Sequence, residues 1–245
     1  MSSMLRLCLG ILICLLTISN PSHAGSGRIK PDSTYDLVDT EILDIIKAKQ
    51  LTIDELYAKR VIEYTCRTYD DYVILVREQT EEYKNELILK CGDEIIVKPR
   101  DESADTNHMC AWPHEGGYFR ITEWAGYFDG LYGKYLLVEE GTGPSPRSFS
   151  IFDLEKQEKI YAATYEVGGP LRIDENYILT FNRMLDKQIN TLEECEAYRE
   201  ACPEIDELKR CITGMGGIGL YERVIVNLET LEEERTGEIS CSCLQ

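Results

Sequence analysis

Lys134-Tyr135-Leu136-Leu137-Val138, then Phe149-Ser150-Ile151-Phe152-Asp153-Leu154, then Lys159-Ile160-Tyr161-Ala162-Ala163-Thr164-Tyr165 are three short runs rich in β-branched and aromatic residues. Gly141-Thr142-Gly143-Pro144-Ser145-Pro146 separates the first from the second, and the polar Glu155-Lys156-Gln157-Glu158 separates the second from the third. Apolar runs of this length, punctuated by Gly, Pro and charge, predict an antiparallel meander. The pattern defines an architecture and no chemistry.

Working outward, the same rhythm continues on both sides. Tyr72–Val76 and Glu86–Lys90 are predicted strands around a polar turn at 78–82. Cys91-Gly92-Asp93 is then expected to turn the chain into Glu94–Lys98, which Pro99 closes. Residues 101–116 hold almost nothing apolar and are expected to form a long loop, and Tyr118–Ile121 returns to the sheet. Further strands are predicted at Leu171–Ile173, Tyr177–Phe181, Arg223–Leu228 and Gly237–Cys241.

Helices are expected at two places. Ile42, Leu43, Ile45 and Ile46 recur at helical spacing, and Thr52-Ile53-Asp54-Glu55 fits a capping box. The second of these helices, from Leu56, is expected to end before Cys66; the other reading turns Arg60-Val61-Ile62-Glu63-Tyr64 into a strand. Leu192, Cys195, Tyr198, Cys202 and Leu208 predict a helical insertion near 191–211, broken at Pro203, with Cys195 and Cys202 on one helix face. Gly214–Gly219 reads as a flexible connector. The predicted class is therefore α+β, mainly antiparallel β: a meander sheet, propeller-like or an open barrel or sandwich, with N-terminal helices and the insertion.

One internal echo supports a repeated hairpin. Ile151-Phe152-Asp153-Leu154-Glu155 and Ile225-Val226-Asn227-Leu228-Glu229 share an apolar pair, a short acid or amide, Leu and Glu. Both precede a polar turn and another strand. The pattern is similar to the outer hairpins of propeller blades. The copies lie 74 residues apart, more than the ~40–50 of one blade, and the helical insertion accounts for the excess.

The N-terminus reads as an export signal. Arg6 precedes the apolar stretch 7–18, and Ser22-His23-Ala24 offers small residues at a cleavage site before Gly25. Twelve apolar residues fall short of the about 18 needed to cross a bilayer, so no integral membrane segment is expected after cleavage. The expected organisation is a signal peptide over 1–24, a flexible leader over 25–38, and one disulfide-bonded β-rich domain over 39–245. The expected location is secreted or periplasmic.

Of ten cysteines, Cys8 and Cys14 leave with the signal. Cys66, Cys91, Cys110, Cys195, Cys202, Cys211, Cys241 and Cys243 remain, an even set that predicts a disulfide framework in an exported chain. Cys241-Ser242-Cys243 places two sulfurs on one face of the last strand, and Cys195, Cys202 and Cys211 are its natural partners. Eight cysteines allow 105 pairings, so spacing fixes none.

The formal charge is −18 and becomes one unit more negative when Arg6 is lost. Such a surface repels phosphate backbones and anionic lipid, so nucleic-acid roles are excluded; a cationic protein suits it as a partner.

Candidate chemistry concentrates between residues 101 and 135. The loop 101–107 spaces oxygen ligands like the start of a calcium loop, but it lacks the turn glycine and the closing bidentate Glu. His108 and His114 flank Cys110, a set that suits a soft metal only if Cys110 is not crosslinked. No cofactor is expected. Trp112, Tyr118, Trp124, Tyr127 and Tyr132 stand among glycines, the composition of a platform for a glycan or peptide; the other reading is that these rings fill the sheet core. No nucleophile elbow, zinc-protease motif or phosphate loop is present.

One segment resembles a known family. Ile62-Glu63-Tyr64-Thr65-Cys66 followed by Tyr72-Val73-Ile74-Leu75-Val76 is similar to the first two strands of membrane-bound or periplasmic inhibitors of C-type lysozyme, small acidic barrels. The likeness covers about 15 residues, and the inhibitory loop of that family is not found, so no functional residue is transferred. The expected function is a non-catalytic exported binding protein. One alternative is an inhibitor of a cationic hydrolase such as lysozyme. The other is a carboxylate-based hydrolase working near 112–135 through acids such as Glu123 or Asp129.

Overall fold

The computed structural model describes residues 27–38, 63–83, 86–113, 116–141, 146–214 and 216–244, and of 80–90 the backbone alone. Two open antiparallel sheets dominate. The smaller runs in order β1 (Ser33–Val38), β2 (Glu63–Thr68), β3 (Tyr72–Tyr83), β4 (Glu86–Pro99) and β5 (Phe119–Ile121).

The larger sheet begins as a meander of β6 (Gly126–Tyr132), β7 (Tyr135–Glu140), β8 (Arg147–Asp153) and β9 (Glu158–Tyr165). It continues through β11 (Ile178–Ile189), β12 (Ile218–Asn227) and β13 (Glu233–Cys243), with the short β10 (Leu171–Ile173) paired to β11.

Strand alternation explains how these pieces stack. On β7, Tyr135 and Leu137 point to one face, and Leu136 and Val138 to the other. The first pair joins Phe149 and Ile151 of β8 in a core with Leu171, Ile173, Leu179, Phe181, Val224 and Val226 from β10–β12. The second joins Phe152 and Leu154 in a core with Ile74, Val76, Ile95, Val97 and Ile121 from the smaller sheet. Strands β6, β7 and β8 are thus sandwiched between two layers, while β9 joins only the first core. Burial on both faces is why β7 and β8 read as nearly continuous apolar runs rather than alternating ones.

β9 and β11 meet in register only at Tyr165 and Arg183. The two halves of the larger sheet therefore bury side chains face to face. The outer face of the smaller sheet is covered by the loop before β5. Tyr64, Cys66, Val73, Leu75 and Ile96 pack there against Cys110 and Trp112, and the Cys66–Cys110 disulfide staples the loop down.

The stretch read as a leader ties the layers together. The Gly27 amide donates to Ile173 O of β10 (3.1 Å), Ile29 N to Leu131 O of β6 (2.7 Å), and Asp32 N to Thr68 O of β2 (2.7 Å). β1 then completes the edge of the smaller sheet against β2.

Several expectations need correction. Residues 63–65 are strand rather than the end of a helix, because Tyr64, Cys66 and Thr68 bury on one face at period two; the N-terminal helices expected upstream lie outside the described residues, as does the signal segment. The turn expected at 78–82 does not exist. β3 runs on to Tyr83, which pairs with Glu86. Cys91-Gly92-Asp93 is not a turn but the interior of β4. Glycine is needed at 92 on two counts: φ is +109°, and a Cβ would meet the backbone of Ala125 and Gly126 at 2.8–3.0 Å.

The helical insertion forms as α2 (Leu192–Ala197) and α3 (Ile205–Gly214), while α1 (Thr106–Met109) adds one turn in the long loop. Thr191 caps α2: its Oγ1 accepts from Glu194 N (3.2 Å), and Glu194 Oε2 accepts from Thr191 N (3.1 Å). Because α2 ends at Ala197, Cys195 and Cys202 do not share a helix, although both bury in one cluster with Ile189, Cys211, Ile218, Leu220 and Cys241. Cys202–Cys241 and Cys211–Cys243 bridge this insertion to the last strand. Cys91 is also disulfide-bonded. Cys195, expected among the crosslinked set, is free and buried. β12 begins at Ile218, so the glycine-rich connector is shorter than expected.

Candidate functional site

The aromatic residues singled out by the sequence do not gather on one surface. Trp112 is buried, edge-on to Tyr64 (5.1 Å between centroids), with the Arg77 guanidinium 3.8 Å from its ring centre. Arg77 in turn pairs with the buried Glu94 (2.9 Å), which also holds Arg120 (2.6 Å). Trp112 thus lids a buried ion cluster, and Tyr118 packs against the same cluster of side chains. Tyr132 is fully buried in the core between the halves of the larger sheet, its hydroxyl donating to Asp129 (3.1 Å). Burial and the neighbouring Asp129 carboxylate push its ionisation well above the usual phenol range. Tyr127 is half-buried on β6.

Trp124 is the exception. It is 75% exposed, against 7% for Trp112, and it stands on a pinned turn. Gly126 N donates to Glu123 O (3.1 Å), Ala125 N to Cys91 O (2.9 Å), and Gly141 N to Ala125 O (2.9 Å). The Gln79 amide adds a bond to Glu123 O (2.6 Å). Ala125 is fully buried at φ +49°, a left-handed conformation that costs an alanine about 1 kcal/mol or more. The turn holds this backbone with an indole in solvent. No sequence signal separated the two tryptophans: the Cys66–Cys110 disulfide holds the loop carrying Trp112 onto the smaller sheet, whereas Trp124 stands on a turn.

Around the turn the charges are mostly committed. Glu123 pairs with Lys159 (2.7 Å). Asp129 accepts from Tyr132 through its carboxylate and from the Arg28 guanidinium through its carbonyl. Glu139 accepts from Tyr165 (3.0 Å). Asp93 sits behind the turn, accepting from Phe128 N (2.8 Å), and burial raises its pKa to about 6 despite that bond and nearby Arg67.

The loop oxygens of 101–107 are used internally. Asp101 accepts from Ser103 N and Oγ, and Asp105 caps α1 through His108 N. His108 is exposed on α1, Cys110 is consumed by its disulfide, and His114 lies outside the described residues. Among the described residues no three His, Cys, Asp or Glu side chains are grouped to hold a metal ion.

One further polar knot escaped the sequence reading. Glu166, just after β9, joins Asn182 of β11 and Ser240 of β13: Asn182 Nδ2 donates to Glu166 Oε2 (2.7 Å) and Ser240 Oγ (3.0 Å), and Ser240 Oγ donates to Glu166 (2.8 Å). Gly169 leaves the room it needs, since a Cβ there would lie 2.9 Å from Glu166 Oε2.

Comparison with known protein families, with curated proteins and with solved structures finds no match. What is established is a mainly antiparallel β, disulfide-stabilised protein whose crosslinks suit an oxidising extracellular or periplasmic compartment. No described helix is long and apolar enough to cross a membrane.

Proposed function

We propose that the protein is a secreted or periplasmic, non-catalytic binding protein that engages a cationic macromolecular partner through the Trp124 turn. The observation that carries this reading is the 75% exposure of Trp124 on a backbone that cannot easily rearrange. A rigid, displayed indole suits the centre of an interface, where truncating such an anchor typically costs about 2 kcal/mol or more. Its ring face attracts Lys and Arg side chains, and a chain of formal charge −18 steers cationic partners towards it. We read the scaffold beneath it as propeller-like, with β6–β9 and β10–β13 as two stacked four-stranded units.

Tryptophan fluorescence tests this directly, because the chain has two tryptophans and Trp112 is buried. Titration with lysozyme and with polylysine at physiological salt is expected to shift the emission to the blue. Trp124→Ala is expected to lose the shift and at least tenfold in affinity, and Trp124→Phe to keep most of the affinity. Unshifted emission with both probes, or equal affinity for Trp124→Ala, would overturn the proposal.

A further inference from the structure

β8 and β9 pair from Arg147↔Tyr165 to Asp153↔Glu158, with a shift between Ile151 and Phe152, and β11 and β12 from Ile178↔Asn227 to Ile189↔Ile218, with a shift between Met184 and Gln188. Between those two ladders, β9 and β11 share a single register pair, Arg183↔Tyr165. N-terminal to Tyr165, β9 has no described ladder partner on its β11 side. C-terminal to Arg183, β11 has none on its β9 side. The register shift between Met184 and Gln188 marks where β11 leaves the direction of its neighbour.

The gap is an open cleft of about 500 Å³, lined by Ala162, Ala163 and Thr164 on one bank and by Met184, Leu185 and Asp186 on the other. In an antiparallel ladder each strand directs alternate N–H and C=O groups to each neighbour. Both banks therefore present backbone groups to the cleft that no strand of the described residues pairs. Sheet edges are normally defended by Lys, Pro or charge. The β9 bank carries none, and its side chains are small enough to admit another backbone. Lys187 on the other strand is drawn over the Tyr198 ring (4.9 Å).

We propose that this cleft binds an extended peptide segment of a partner protein by strand addition, a site distinct from the Trp124 turn. At about 3.3 Å per residue, a segment of roughly five residues spans either bank. Arg183, at the apex, is already engaged by Glu233 and the Tyr161 hydroxyl. Asp186 is exposed on the open bank, and the whole chain is acidic. The peptide chemistry that fits is small apolar side chains facing Ala163 and Thr164, with a Lys or Arg opposite Asp186.

Panning a phage-displayed library of random dodecapeptides against the full chain, followed by hydrogen exchange with the best synthetic peptide, tests the site. Enrichment of basic sequences is expected, with slowed exchange at amides within 162–164 and 184–188 of the wild-type protein. Alternate backbone N-methylation of the peptide is expected to cost at least tenfold in affinity, because it removes ladder donors. Ala162→Trp, which fills the cleft, is expected to cost as much, while Glu102→Gln, exposed in the loop before α1 and away from the cleft, leaves the affinity unchanged. Absence of enriched peptides, protection elsewhere in the chain, or undiminished binding of the N-methylated peptide would overturn the proposal, whereas the Trp124 reading stands or falls on the emission shift with lysozyme and polylysine.

Discussion

Asp153 and Asn227 hold the same position in two hairpins of the larger sheet. Asp153 Oδ1 accepts from the amides of Glu155 (3.0 Å) and Lys156 (3.2 Å), and Asn227 Oδ1 accepts from those of Glu229 (2.9 Å) and Thr230 (3.1 Å). Four residues after each, Gln157 and Leu231 take φ +56° and +59°. The leucine after each donates its amide to the preceding hairpin turn, Leu154 to Lys134 O and Leu228 to Tyr177 O. The echo in sequence is therefore an echo in hydrogen bonding.

That geometry makes Leu231 a poor choice of residue, since it is 44% exposed and left-handed. Leu231→Gly is expected to stabilise the protein by about 0.5–1 kcal/mol, the relief of the Cβ clash less the added freedom of the unfolded chain. Asn227→Ala is expected to cost about 1–2 kcal/mol through loss of its two bonds. Urea denaturation of each variant checks both signs.

Asp93 gives the fold a pH dependence of defined sign. Its folded pKa of about 6 lies above the ordinary 3.8, so the folded state binds the extra proton between those values. Stability attributable to this group is greatest at low pH and falls as pH rises from about 4 to about 6, by up to about 3 kcal/mol. Asp93→Asn is expected to flatten that part of the stability profile, measured by urea denaturation at pH 4, 5, 6 and 7.

The insertion should be the part most sensitive to reduction. Cys202–Cys241 and Cys211–Cys243 close loops of 39 and 32 residues, each worth about 4 kcal/mol on a chain-entropy estimate. Replacing either pair with alanine is expected to cost about 2–4 kcal/mol. Cys195, buried and free, is expected to resist alkylation in the native protein and to react fully once it unfolds. Thiol labelling followed by mass measurement reads this.

Residues 27–32 should behave as a strap rather than a tail. Deleting them removes the backbone bonds to Ile173, Leu131 and Thr68 together with the Arg100–Asp32 pair (2.5 Å). A loss of about 2–4 kcal/mol is expected from several net hydrogen bonds, seen as a lower Tm with unchanged far-ultraviolet dichroism.

Legibility in the sequence followed locality. The meander over 135–165, the capping box at Thr191 and the paired hairpins were readable because each depends on residues close in the chain. β2 was misassigned because its buried alternation, Tyr64, Cys66 and Thr68, is short and adjoins a helix-like stretch. The false turns at 78–82 and 91–93 share a cause: polar residues and a glycine were read as chain reversal, whereas Gln79 reaches across to Glu123 and Gly92 admits the backbone of Ala125–Gly126.

The candidate sites were less legible. Trp112 and Trp124 are equivalent in sequence, and only the Cys66–Cys110 staple, by drawing one over Arg77, buried it and left the other in solvent. The cleft between β9 and β11 is invisible in one dimension, because the divergence of two strands after a single pair is a property of how sheets twist and stack. Sequence by itself determined the β class, the acidic surface and the supply of sulfur, since these follow from composition and local period. Tertiary structure alone decided which aromatic stays wet, which cysteine stays free and where a strand edge stays open, since each depends on contacts between residues far apart in the chain.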